Sequence, residues 1–348
     1  MAVYYVLIAS LTFFTIFDLV SSRLSKKYLV ILVLIAFVLI QAFRSVEVGI
    51  DTRSYIKIFT IAKFGNLSTL SAITNFESGF LLFIKIISLF TENTQVFLGV
   101  LSVCILATII YIIYKYSKMP MLSLFLFFAM GFYGFTFSGI RQSLAIALCF
   151  ASYGFIRSRR PVLFVLLMIL AASIHYSALV FLIAYPLSRL GIKKRHFLLV
   201  ITVFLIIFLG RGFVFSVIQM TITRRYTSAI YYEASDSYSL LLVMLLLFMF
   251  TMFIGRSSTE NLESNTLRNF LLIAVFIQLF ASLSPVAMRA GYYFWWFSVL
   301  LIPEVIVNQP TRRERHILLV VILIFGFMYF QFLYSSGMLN TSPYKAFW

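Results

Sequence analysis

Charge is scarce in this sequence, and acidic charge scarcest: 11 Asp and Glu stand against 28 Lys and Arg in 348 residues, and charged side chains of both signs make up 11%. A soluble domain carries roughly a quarter charged residues. The shortage therefore excludes a water-soluble enzyme fold, a DNA-binding domain and any partnership with nucleic acid. Cysteine is nearly missing too. Cys104 and Cys149 each lie inside an apolar stretch, which indicates neither a disulfide framework nor a thiol metal site. Nucleotide and metal signatures are also lacking: there is no P-loop, no HExxH, no paired Cys/His spacing and no G-x-S-x-G. Neither a cofactor nor a metal is expected.

What remains is apolar. Hydrophobic residues make up 62%, Phe alone numbers 40, and the mean hydropathy is +1.02. So much apolar surface needs lipid, and the fold expected is an all-α polytopic membrane protein forming one integral domain over 1–348. A bilayer core of roughly 30 Å takes about 20 apolar residues in a helix. That length predicts membrane segments at 2–20, 28–43, 94–114, 119–137, 140–156, 197–219, 238–254, 266–284, 290–308 and 317–334. Residues 162–187 lie between two basic loops and are too long for one ordinary span. They read as a short broken hairpin with His175 near its junction, bringing the total to about 12 segments. Residues 78–91, interrupted by Lys85, read as an interfacial or re-entrant helix.

With that hairpin the charges alternate consistently. Loops 21–27, 115–118, 157–160, 189–196, 255–265 and 309–316 fall on one side and hold sixteen Lys and Arg. By the positive-inside rule that side is cytoplasmic. Both termini and the outer loops 44–77 and 220–237 then lie outside, and the basic stretch after the first segment marks an anchor rather than a cleaved signal.

Against that rule, Arg44, Arg53, Arg141, Arg211, Arg224, Arg225 and Arg289 map to the outer side. An arginine at the centre of a span costs about 2.5–3.5 kcal/mol, and guanidinium forks hold phosphate oxygens bidentately. Arg44, Arg141, Arg289 and Arg211 are thus candidates for a lipid phosphate or pyrophosphate; the bland alternative is single arginines snorkelling to headgroups. In the first outer loop Asp51 reads as a general base or a metal ligand at a polar surface site, or as a plain helix cap. The run Ser138-Gly139-Ile140-Arg141-Gln142 opens a helix, whose free N–H groups favour an anion. His175 in an apolar stretch could move a proton or be a neutral, hydrogen-bonded core histidine. Pro285–Tyr293 reads as a short outer turn that brings Arg289 and Tyr292 to the same cavity. Trp295 and Trp296 read as an interfacial aromatic belt.

In order along the chain, FRSVEVGIDTRSYIKIF (43–59), SGIRQSLAIAL (138–148), ASIHYSALVFLIAYPL (172–187), RRYTSAIYY (224–232), MRAGYYFWWFSVLLIP (288–303) and PYKAF (343–347) resemble the EpsG family, the Wzy-like polysaccharide polymerases of bacterial membranes. The resemblance implies a glycosyltransferase related to the GT-C class in the bacterial cytoplasmic membrane. It would polymerise undecaprenyl-pyrophosphate-linked repeat units into O-antigen, capsule or exopolysaccharide at the outer face. It also implies membrane lipid, a chain-length regulator and a flippase as partners. Within it His175 and Asp51 are the catalytic candidates, the four arginines the pyrophosphate ligands, and Gln142, Tyr55 and Tyr292 further substrate contacts. Two other readings stand beside it: a flippase or transporter of lipid-linked oligosaccharide, and a non-catalytic subunit of an assembly complex. A flippase should carry cations along a path through both leaflets, whereas the unusual arginines here gather at the outer end.

Overall fold

A computed structural model describes residues 1–19, 23–191, 194–221, 237–254 and 262–348. Among these the chain is all-helical, with one isolated β-bridge between Arg44 and Ala346 in place of a sheet. Arg224 and Arg225 lie outside the described residues.

The chain divides into two compact units. The first comprises Met1–Leu179 with Arg315–Trp348. Its helices are α1 (Ala2–Asp18), α2 (Arg23–Ala42), α3 (Thr52–Phe64), α4 (Leu67–Ile73), α5 (Ser78–Phe90), α6 (Thr94–Tyr116), α7 (Pro120–Ala129), α8 (Phe132–Ser138), α9 (Ile140–Arg157) and α10 (Pro161–Ile174). α2, α6, α9 and α10 pack in succession, and α5 rests on both α3 and α10. The core is aromatic: Tyr4, Phe128, Phe330 and Tyr334 stack on one another, and Tyr133 stacks on Phe37 with centroids 4.2 Å apart. The buried hydroxyls of Tyr4 and Tyr133 donate to backbone, to Thr341 O at 2.7 Å and to Phe37 O at 2.9 Å.

The second unit, Val180–Glu314, holds α11 (Ala184–Leu187), α12 (Phe197–Thr221), α13 (Ser237–Phe253), α14 (Leu262–Gln278), α15 (Pro285–Trp295) and α16 (Ser298–Val307). A last helix, α17 (Arg312–Ser335), runs from it into the first unit's sequence.

Among the described residues, four stretches are long and apolar enough to cross a membrane: Thr94–Tyr116, Phe197–Val217, Val286–Val307 and Arg312–Ser335. A fifth is added if the pair α7 and α8, bent by 54°, counts as one span. Helices lie over every predicted segment, yet several boundaries differ. The segment 119–137 is not one straight helix, because the chain turns at Met130–Gly131. The helix predicted to start at 266 starts at Leu262 and ends at Gln278. Residues 262–265, expected as loop, form its first turn, and the buried polar groups that follow are hydrogen-bonded. Arg268 donates to Asn265 Oδ1 at 3.0 Å and Thr251 O at 3.2 Å, and Asn269 Nδ2 donates to Leu187 O and Leu190 O.

Two corrections concern the second unit. Pro285–Tyr293 is a helix rather than a turn: Ser284 accepts from Val286 N as its cap, and Pro285 stands at the first helical position, where its missing N–H costs nothing. Trp295 and Trp296 are fully buried rather than forming a surface belt, because the break between α15 and α16 turns them into the core.

Candidate functional site

The segment that follows α2, residues 43–52, is bound down along its length. Gly49 holds φ at +93°, and a Cβ there would stand 2.5 Å from Phe137 O, so only glycine fits without strain. Ile50 N donates to Ser138 Oγ at 3.0 Å, and Thr52 Oγ1 donates to Val48 O at 2.8 Å. The loop is thereby laid against the C-terminal end of α8, one residue before Arg141's helix. From the other side the C-terminal tail pairs with it. Ser45 N donates to Lys345 O, Gly49 N to Asn340 O and Phe347 N to Phe43 O, and Lys345 forms an ion pair with Glu47 at 2.8 Å.

Arg44 lies inside this joint and is 1% exposed. It donates to Gln41 O at 3.1 Å and Phe137 O at 3.3 Å, with its guanidinium carbon 5.0 Å from the Phe137 ring centroid. This ties the end of α2 to the end of α8 and leaves the guanidinium facing the protein interior.

The starts of α5 and α9 and the end of α10 bring together residues far apart in sequence. Arg141 projects from the first turn of α9. Its Nη1 donates to Glu77 Oε2 at 2.5 Å, and its guanidinium carbon lies 4.0 Å from the centroid of the Phe76 ring. Arg141 Nε is buried without a hydrogen-bond partner among the described residues. The other oxygen of Glu77, Oε1, accepts from Tyr176 N at 3.1 Å and lies 3.3 Å from His175 Nδ1. His175 itself sits in extended conformation at the break between α10 and the 3-10 helix Tyr176–Ile183, which ends the helix and exposes Tyr176 N to an acceptor. A close approach keeps that break beside Glu77: a Cβ on Gly79, in the first turn of α5, would stand 2.6 Å from Ser173 O.

Electrostatics completes the cluster. Burial alone would raise the Glu77 carboxyl, but His175 beside it, the Arg141 charge and the Tyr176 amide outweigh this and hold it at about 2. At Tyr55, which is 4% exposed, burial pushes the hydroxyl up, the Arg141 charge opposes the rise and Asp51 adds to it. Asp51 stands at the N-cap position of α3, where its backbone carbonyl accepts from Tyr55 N at 3.1 Å. Arg141, Glu77, His175, Tyr55 and Asp51 therefore form one neighbourhood of mixed charge. Gln142 is buried behind Arg141.

Of the residues singled out in the sequence, Arg141, His175, Tyr55 and Asp51 meet, and Arg44 supports the loop that carries two of them. Arg211 lies within α12, where it donates to Phe208 O at 2.7 Å and Tyr238 Oη at 3.2 Å. Arg289 and Tyr292 stand three residues apart on α15, hence on one side of it. Glu77, the centre of the cluster, was not singled out. Its signal was present: one of only 11 acidic residues, directly preceding an apolar helix. Among the described residues no three His, Cys, Asp or Glu side chains gather as a metal site.

An all-helical fold with several membrane-length helices and a buried-edge cluster of arginine, carboxylate and imidazole defines a polytopic membrane protein with a polar site on its apolar body. Residues 26–346 match the EpsG family, and the chain belongs to it. No curated protein and no solved structure matches the chain.

Proposed function

We propose that this protein is a membrane glycosyltransferase that polymerises undecaprenyl-pyrophosphate-linked oligosaccharide repeat units at the outer face of the bacterial cytoplasmic membrane. The product would be O-antigen, capsule or exopolysaccharide. Family membership supports a polysaccharide polymerase in general. The observation that carries the finer reading is the meeting of Arg141, Glu77 and His175 at breaks in three apolar elements.

In this reading the hydroxyl of the acceptor unit attacks the anomeric carbon of the donor chain. The bond from that carbon to the pyrophosphate oxygen breaks, and the lipid pyrophosphate leaves with the electron pair. Arg141, with a buried Nε lacking a partner and a ring beneath its plane, is suited to stabilise the charge that grows on the leaving group. His175 takes the acceptor proton. Glu77, ionised throughout the physiological range, is too weak a base for that task but well placed to orient the imidazole. Asp51 is the second base candidate, and Tyr55 and Gln142 are substrate contacts. Arg289 and Tyr292 on α15, with Arg211 on α12, are proposed as phosphate- and sugar-binding groups of the second unit.

The same reading takes the short apolar helices and the broken stretch 161–187 as partial crossings, giving about 12 membrane segments on a GT-C-like plan with both termini outside. The partners that follow are the lipid-linked donor and acceptor, surrounding lipid, a flippase that supplies the units and a chain-length regulator. The test is glycan length on the lipid carrier in a strain lacking the gene, complemented with wild type or with Glu77→Gln. A polymerase predicts single repeat units accumulating on carrier at the outer face without the gene, and short chains with the variant. Accumulation at the inner face would support a flippase instead.

A further inference from the structure

The opposite, basic end of the first unit carries a feature that the glycan site does not use. Between α6 and α9 opens a cavity of about 670 Å³. On α6 it is lined by Ala107, Tyr111 and Lys115, each one helical turn beyond the last, and on α9 by Ala151 and Phe155. The floor is thus apolar for about two turns, and the mouth is polar. There Lys115 and Arg160, both exposed, flank the opening, with the Ser158 hydroxyl nearby.

Two features give this groove a preferred occupant. First, neither cation has a carboxylate partner among the described residues. Lys115 lies instead 5.6 Å from the Tyr111 centroid and 5.3 Å from that of Tyr116, and Arg157 lies 4.9 Å from the Tyr116 centroid. The aromatic pair holds positive charge at the rim without neutralising it. Second, α6 is long and apolar enough to cross a membrane. Its apolar stretch therefore falls at the depth of acyl chains and its last turn at the depth of headgroups. Apolar floor and cationic rim thus match a molecule with a hydrocarbon tail and an anionic head.

We propose that this groove is a binding site for an anionic phospholipid, its phosphate between Lys115 and Arg160 and one acyl chain along Ala107, Tyr111 and Ala151. Each cation near a membrane surface strengthens such binding by about fivefold, so removing both costs roughly thirtyfold.

The experiment uses the full-length protein, delipidated in detergent and titrated with phosphatidylglycerol or with phosphatidylcholine of the same chains, read by native mass spectrometry. Phosphatidylglycerol should bind in preference, and Lys115→Gln with Arg160→Gln should weaken it about thirtyfold. The control Arg312→Gln, an exposed arginine elsewhere, should leave it unchanged. Ala151→Leu, which fills the floor and keeps both charges, should also weaken phosphatidylglycerol binding. Equal binding of the two lipids, or phosphatidylglycerol binding unmoved by the double substitution, would overturn the proposal. Displacement of the lipid by millimolar inorganic phosphate alone would assign the rim to a free anion and overturn it as well.

Discussion

Arg141 and Glu77, 64 positions apart in sequence, meet through a hydrogen bond of 2.5 Å between Nη1 and Oε2. Each comes from the end of an apolar helix, so two charges that neither helix could bury alone are accommodated together. A charge pair so enclosed contributes little net stability compared with apolar packing, yet breaking it by removing one member costs several kcal/mol. That asymmetry favours a role in positioning.

The pair gives the fold an acid limit. The Glu77 carboxyl is held at about 2, below its ordinary 4.5, so its stabilising contribution is complete above pH 4.5 and is lost as pH falls toward 2. The difference corresponds to about 3 kcal/mol. Thermal unfolding in detergent, followed from pH 7 down to pH 3, should show wild type losing stability below pH 4.5. Glu77→Gln should start lower and change less over that window; parallel curves would contradict the assignment.

His175 should matter for chemistry more than for folding. His175→Ala is expected to shorten the polymer to a few repeat units while the membrane level of protein stays near wild type. Polymer of wild-type length and amount would make the histidine structural and leave Asp51 as the base candidate.

Gly79 is the packing contact that brings the break at His175 to Glu77. Gly79→Ala places a methyl 2.6 Å from a backbone oxygen that cannot swing away, so α5 must shift against α10. The expected result is a loss of about 1–3 kcal/mol in stability and reduced polymer length. Gly65→Ala, where the nearest backbone oxygen is 3.3 Å off, should be milder.

Orientation can be read directly. In a variant with Cys104 and Cys149 replaced by Ala, a membrane-impermeant thiol reagent should label Thr60→Cys from outside. Arg159→Cys and Arg313→Cys should react only after permeabilisation. Labelling of position 159 in intact cells would reverse the proposed topology.

The long helices were legible because apolar runs near 20 residues have few other uses; α6, α12 and α17 fall within a few residues of expectation. His175 was legible as a break because a polar residue amid apolar ones is costly unless partnered. What composition could not convey was pairing. Arg268 and Asn269, inside the segment expected at 266–284, showed no partners because their acceptors, Thr251 O and the carbonyls of Leu187 and Leu190, are distant in sequence. Arg44 looked like a ligand-facing cation because its acceptor Phe137 O is 93 positions away. Glu77 was passed over for the same reason: a lone acid before a helix reads as a cap until Arg141 and His175 are beside it.

If Arg141 holds the pyrophosphate leaving group, arginine and lysine are not interchangeable there. Lysine keeps the charge but loses the planar fork that matches two phosphate oxygens. Glycan length on the lipid carrier should be measured for Arg141→Lys, Arg141→Ala and wild type at equal membrane expression. Arg141→Lys should be nearly as defective as Arg141→Ala, with chains cut to a few repeat units. Full-length polymer from Arg141→Lys would contradict it.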